Sequence, residues 1–256
     1  MSPIAVRHSV TGRSDGPVVV LSNSLGSTHR MWDAQLPSLQ ERFQVVRYDT
    51  RGHGQSPVPT GPYSIDDLAD DVIALLDTLR VPRAHLVGLS LGGMTAMRLA
   101  ARNPDRIDRL VLLCTGARLP PASAWTDRAA TVRADGTAAV AEAVVARWFT
   151  AQFLAEHPDI KATSQAMVAA TPAEGYAGCC EAIAGMDLRA DLPTISAPTL
   201  AIAGADDVAT PPAMLGEIAS AVHDGLLLEV SHAGHLASAE QPGIITPAII
   251  EHLEQS

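Results

Sequence analysis

Three stretches of the 256-residue chain hold the residue types needed for nucleophilic acyl transfer. The first is Gly88-Leu89-Ser90-Leu91-Gly92, a serine between two glycines, with an apolar run before it and a helix-like pattern after it. A serine at an abrupt strand-to-helix turn is a nucleophile elbow. The turn strains the serine backbone and crowds neighbouring segments until only glycine fits on either side, which lifts the hydroxyl clear of the sheet. Unassisted, a serine hydroxyl is a poor nucleophile near neutral pH, so it needs a base, and the base needs an orienting acid. Both follow downstream in the order acid then base. One stretch reads Gly204-Ala205-Asp206-Asp207, and the other Ser231-His232-Ala233-Gly234-His235, each directly after an apolar run. Among nine histidines, His235 is preferred to His232 because it follows a small glycine-containing turn after the last strand. Asp206 and Asp207 both stay open as the acid.

Attack by Ser90 would create an oxyanion, which needs preorganised donors. One is the backbone N–H of Leu91, which follows the nucleophile and begins a helix whose N-terminal dipole favours negative charge. The second comes from the loop after an earlier strand, Ser22-Asn23-Ser24-Leu25-Gly26, with Ser24 as the expected donor. No metal or nucleotide site competes. His53 sits in a glycine-rich turn without nearby ligands, and the glycines of Arg51-Gly52-His53-Gly54 lack both the Walker lysine and the dinucleotide-binding spacing.

These residues must be held by strands and helices that the pattern also predicts. Continuous apolar runs at 17–21, 43–48, 85–89, 110–114, 199–204 and 226–230 read as strands buried on both faces, as in a parallel sheet. Helices are expected at 30–41, 63–80 (Ser64 as N-cap with Asp67 at its third position), 91–102, 212–222 and 243–254. Between residues 118 and 191 the alternation stops. That stretch reads as helices alone, at 138–153, 160–170 and 174–184. The expected architecture is α/β, a mostly parallel central sheet with helices on both faces. Residues 1–117 and 192–256 form its core, and 118–191 form an inserted helical cap over the strand ends where ligands bind.

Composition limits the partners. A hydrophobic content of 47% fits a folded globular chain, and a formal net charge of −10 argues against a nucleic-acid or anionic-membrane surface. One local arginine could still hold a small anion. Cys114, Cys179 and Cys180 form neither a disulfide framework nor a zinc pattern, and no apolar run reaches the roughly 18 residues of a membrane span. A cytoplasmic protein is expected.

Taken together, the chain resembles the α/β-hydrolase superfamily over essentially its full length, and within it the 3-oxoadipate enol-lactone hydrolases of bacterial aromatic catabolism. The stretches that carry this are Ser22-Asn23-Ser24-Leu25-Gly26, Arg30-Met31-Trp32-Asp33, Arg47-Tyr48-Asp49-Thr50-Arg51-Gly52-His53-Gly54, Gly61-Pro62-Tyr63, Arg147-Trp148-Phe149-Thr150 and Cys180-Glu181-Ala182-Ile183. Related perhydrolases and esterases share the first and third of them. Where the superfamily usually has His-Gly in the oxyanion loop, Ser22-Asn23 stands here, which fits the enol-lactonase pattern.

The resemblance implies the α/β-hydrolase fold, selects Asp207 as the acid by its spacing, and implies cofactor-free opening of a small anionic enol-lactone. A carboxylesterase or cofactor-free perhydrolase on the same scaffold is the alternative, and a non-catalytic ligand-binding protein a remote one. An anionic substrate would want a cation facing the pocket. The cap offers Arg118, Arg128, Arg133 and Arg147, of which Arg133 is the expected partner, with Trp125 and Trp148 as expected pocket walls.

Overall fold

Val19, Val20, Val45, Val46, Val87 and Val111 have no solvent-accessible surface. Both faces of the sheet that they build are covered, so these strands carry apolar runs instead of alternation. The computed structural model describes residues 1–255. In chain order the core opens with β1 (His8–Gly12), β2 (Val18–Ser22), α1 (Leu36–Gln40), β3 (Gln44–Tyr48), α2 (Ile65–Thr78), β4 (Ala84–Leu89), α3 (Leu91–Arg102) and β5 (Ile107–Leu113). A run of helices follows: α4 (Ala122–Asp135), α5 (Ala138–Trp148), α6 (Ala151–Glu156), α7 (Pro158–Ala169) and α8 (Ala173–Ala184). The chain then returns through β6 (Thr199–Gly204), α9 (Pro212–Ala221), β7 (Gly225–Val230), α10 (Ala237–Glu240) and α11 (Pro242–Glu254).

The seven strands form one sheet in the order β1-β3-β2-β4-β5-β6-β7, parallel except for the antiparallel edge strand β1. After β3 the chain crosses over β2 to lay down β4. The order therefore reverses between β2 and β4, with Ser22 in register with Gly88. A crevice opens outside the carboxyl ends of strands at such a switch point, and ligands bind there. The turn at Ser90 leaves β4 at that crevice, and the loop 22–26 leaves β2 beside it.

The expected α2 forms with its capping box. The Asp67 amide donates to Ser64 Oγ (3.2 Å), and the Ser64 amide donates to the Asp67 carboxylate (2.9 Å). Other expectations are corrected. Residues 30–41 do not form one helix but a 3₁₀ turn (His29–Trp32) and the short α1. Tertiary hydrogen bonds capture the residues around the break: Trp32 Nε1 donates to Asn23 Oδ1 (3.0 Å) and Gln35 Nε2 to the Ser238 carbonyl (2.7 Å). Residues 138–153 split into α5 and α6, because Phe149 is extended and Thr150 caps the second helix through the Phe153 amide. β1, α4 and α10 were not anticipated individually.

Candidate active site

Ser90 occupies the strained corner, at φ 57° and ψ −115° between β4 and α3. Such a backbone costs about 1–3 kcal/mol and persists only where its surroundings over-determine it. Here they do. The Ser90 amide donates to the Leu113 carbonyl on β5 (3.0 Å), while the Ser90 carbonyl accepts from Thr115 Oγ1 (2.8 Å) and from the Met94 amide (2.9 Å). A Cβ on Gly88 would collide with the Gly92 carbonyl, and one on Gly92 with the Ser22 carbonyl. That is the steric reason for both glycines.

Asp207 and His235 are brought together from the loops after β6 and β7. Asp207 is 3% exposed, His235 5% and Ser90 8%. His235 Nδ1 lies 2.8 Å from Asp207 Oδ2. The Asp207 carboxylate also accepts from the Ala209 amide (2.7 Å), the Thr210 amide (3.0 Å) and Thr210 Oγ1 (2.7 Å). Burial opposes ionisation of Asp207, but the adjacent imidazole and these hydrogen bonds outweigh it and hold the carboxyl below its ordinary range. With Nδ1 occupied by the carboxylate, Nε2 is the His235 nitrogen left to accept a proton. Asp206 and His232 are exposed.

The loop after β2 is tied down by its polar residues. Asn23 Nδ2 donates to the Tyr48 carbonyl (2.5 Å), Asn23 Oδ1 accepts from Trp32 Nε1, and Ser22 Oγ pairs with Tyr48 Oη (2.6 Å). The Ser24 amide points at Met31 Sδ (3.2 Å), and the Gly26 amide donates to Nε2 of the fully buried His53 (3.0 Å). Leu91 stands at the first position of α3, where a helix has no carbonyl partner for its N–H.

Ser90 and His235 line one cavity of about 220 Å³ with Ser24, Leu25, Thr210 and Met214 from the core. Trp125, Arg128, Val144, Arg147, Trp148 and Tyr176 complete it from the helices between β5 and β6. Among the described residues, no His, Cys, Asp and Glu group is arranged to hold a metal ion. The described helices include none long and apolar enough to cross a membrane.

The profile of the family described as alpha/beta hydrolase fold matches residues 17–242. The chain belongs to this family. It is 42% identical to 3-oxoadipate enol-lactonase 2 of Acinetobacter baylyi, over 96% of this chain and 92% of that protein. It is 33% identical to a putative carbamate hydrolase RutD of Variovorax paradoxus, over 97% and 96%. The crystal structure of the enol-lactonase from Burkholderia xenovorans LB400 superposes with a TM-score of 0.95 at 41% identity, covering 98% of this chain and 96% of that one. This α/β-hydrolase is thus a hydrolytic enzyme by kinship as well as by fold.

The cap arginine expected from sequence is not the one at this hydrolase's cavity. Arg133 is turned away to Glu174 (Nε to Oε2, 2.8 Å) and Glu181 (Nη1 to Oε1, 2.5 Å), which consume its guanidinium. Arg118 faces Asp187 at 3.8 Å. Arg128 and Arg147 line the cavity instead, and neither makes an ion pair among the described residues. Arg128 stacks with its Cζ 4.8 Å from the centre of the Trp125 ring, and the Arg147 guanidinium donates to the Val208 carbonyl (3.4 Å). Trp125 and Trp148 do line the cavity. Thr210 was missed, although a hydroxyl three residues after Asp207 is a signal that the sequence carried.

Proposed function

We propose that this hydrolase opens 3-oxoadipate enol-lactone, a five-membered ring ester bearing an acetate side chain, to 3-oxoadipate. The observation that carries the reading is the cavity that joins Ser90 and His235 to an unpaired, aromatic-stacked arginine, Arg128. An anionic lactone needs its ester at the serine and its carboxylate at a cation, and Arg suits a carboxylate by its two-pronged geometry. The 42% identity to an enol-lactonase supports the same substrate, and with it a place in bacterial aromatic catabolism. Residues 118–191 act in this reading as the cap, since they supply both the cation and the apolar walls.

The chemistry follows from the residues. Ser90 Oγ attacks the lactone carbonyl carbon while its proton passes to His235 Nε2, and Asp207 stabilises the imidazolium that forms. The tetrahedral oxyanion rests on the Leu91 amide at the head of α3 and on the Ser24 amide. The present partner of the Ser24 amide is a thioether, a weak acceptor that an oxyanion outcompetes. Collapse breaks the ring C–O bond and expels an enolate, which takes the His235 proton and tautomerises to the ketone. Water then gives a proton to His235 and attacks the acyl-enzyme. The imidazolium returns that proton to Ser90 Oγ as the C–O bond to the serine breaks, and the carboxylic acid released loses its proton to solvent.

The test follows the ultraviolet loss of the enol-lactone with wild type and Ser90→Ala, beside a panel of neutral aryl esters. Fast lactone loss that Ser90→Ala abolishes is expected. Esters turned over far faster than the lactone would make the protein a carboxylesterase instead.

A further inference from the structure

Glu240 is a buried carboxylate, 8% exposed, that the reaction does not use. Its hydrogen bonds come from N–H and O–H groups on two separate parts of the fold. Oε1 accepts from the Thr150 amide (2.8 Å) and Thr150 Oγ1 (2.8 Å), at the joint between α5 and α6. Oε2 accepts from the amide of Gly234, the residue immediately before His235. On the other side of His235, the Leu236 amide donates to the Trp148 carbonyl (2.7 Å). The base is thus bracketed, and both brackets land on residues 148–150, the segment that presents Trp148 to the cavity.

The loop has no slack for error. A Cβ at Gly234 would stand 3.0 Å from Glu240 Oε2 and 3.1 Å from the Trp148 carbonyl oxygen. A neutral apolar side chain at 240 would leave the buried Gly234 amide and the half-buried Thr150 amide without an acceptor, and a buried amide does not stay unpaired cheaply.

We infer that Glu240 is a positioning residue that sets the His235 imidazole against Ser90 by bridging the His235 loop to the cap joint at Thr150. This rests on the proposed Ser90–His235–Asp207 mechanism. Both carboxylate oxygens are needed. In Glu240→Gln one oxygen becomes an NH2 that must face either the Gly234 amide or the Thr150 donors. Glu240→Asp keeps the charge but is one methylene too short to span both. A small error in the placement of a base costs a large factor in rate.

The experiment measures sulfonylation of Ser90 by phenylmethanesulfonyl fluoride, which reads serine activation without the substrate's carboxylate, together with kcat and KM on the lactone. Samples are matched for folded fraction by near-ultraviolet circular dichroism, well below their Tm. Both variants are expected to lose about tenfold or more in sulfonylation rate and in kcat, with KM within about twofold of wild type. If Glu240→Gln does not fold, Glu240→Asp carries the same test. A merely structural Glu240 lowers Tm but leaves the sulfonylation rate per folded molecule at the wild-type value, and that result in either variant overturns the inference. If wild type itself is not sulfonylated at Ser90, the triad reading has failed and the inference falls with it. If wild type is sulfonylated but the lactone is inert, only the substrate is wrong, and the sulfonylation rates still decide the role of Glu240.

Discussion

The carbonyl oxygen of Ser22 occupies the space in which a side chain on Gly92 would begin. The last residue of β2 and the second residue of α3 therefore touch through backbone alone, and this contact sets the distance between the proposed oxyanion loop and the elbow. Gly92→Ala should force β2 and α3 apart. The expected cost is about 3 kcal/mol, the upper range for overpacking, with loss of activity as the proposed Ser24 and Leu91 donors separate. Urea unfolding measures it, and a stability within 0.5 kcal/mol of wild type would show that the strand end can shift freely.

Thr210 completes the coordination of Asp207, donating its hydroxyl to the oxygen that faces His235. Hydrogen bonds to a buried charge contribute about 1.5–3 kcal/mol, so Thr210→Val should lose about 2 kcal/mol of stability near neutral pH. The sign with pH is fixed. The folded Asp207 carboxyl lies below the ordinary aspartate value of 3.8. Its stabilisation is therefore present above that value and is lost as pH falls through the folded one. The gap between wild type and Thr210→Val in urea midpoints should narrow only below about pH 3.8. A gap that is constant with pH would mean that the hydroxyl acts through packing, not through the charge.

Arg128 and Arg133 make opposite predictions. Arg128→Leu removes one of the two cavity arginines without an ion pair, the one stacked on Trp125, and should raise KM for the anionic lactone by about 10–100-fold, the worth of about 1.4–3 kcal/mol for a charged hydrogen-bonded contact. Neutral aryl esters should be little affected. Arg133→Gln breaks ion pairs at the surface and should change stability by less than about 1 kcal/mol, with KM unchanged. A matching rise in KM for Arg133→Gln would place the carboxylate site at the Arg133 guanidinium, in competition with Glu174 and Glu181 and against the geometry.

The difference between those two arginines shows where sequence reading stops. Residues five apart on a helix point about 140° away from each other, so Arg128 and Arg133 of α4 face different surroundings. Only Ala129 and Val132 are buried on that helix, too little apolar pattern to orient it in advance. The strands and the elbow were legible for the opposite reason. Burial on both faces writes an unbroken apolar run into β2 and β4, and backbone contact writes glycine at 88 and 92. The double burial expected of 226–230 is corrected, since β7 closes the other edge of the sheet with Leu226 and Leu227 exposed. The edge strand β1, with its mixed exposure, writes neither signal. The bridge through Glu240 was invisible because it joins residues 90 positions apart.

Three histidines outside the proposed triad tie stability to pH. Burial pushes His53, His85 and His252 below the ordinary value of 6.5 and keeps them neutral in the fold. The unfolded chain binds their protons first. Stability is therefore complete above pH 6.5 and falls as pH drops from there toward each folded value. Each such histidine can cost up to about 1.4 kcal/mol per pH unit in that window. The three together would start to weaken the fold two units or so before the ordinary carboxylates titrate. His53 adds a local effect. Its Nε2 accepts the Gly26 amide and its Nδ1 meets the Arg51 carbonyl (3.1 Å), so protonation removes the acceptor that holds the end of the loop after β2. Urea unfolding from pH 8 to pH 5 should show a flat region above 7 and a decline beginning near 6.5. His252→Gln, which keeps a donor for the Pro198 carbonyl, should make that decline shallower. A stability that stays level down to pH 5 would mean that these imidazoles take up protons in the fold as readily as in the open chain.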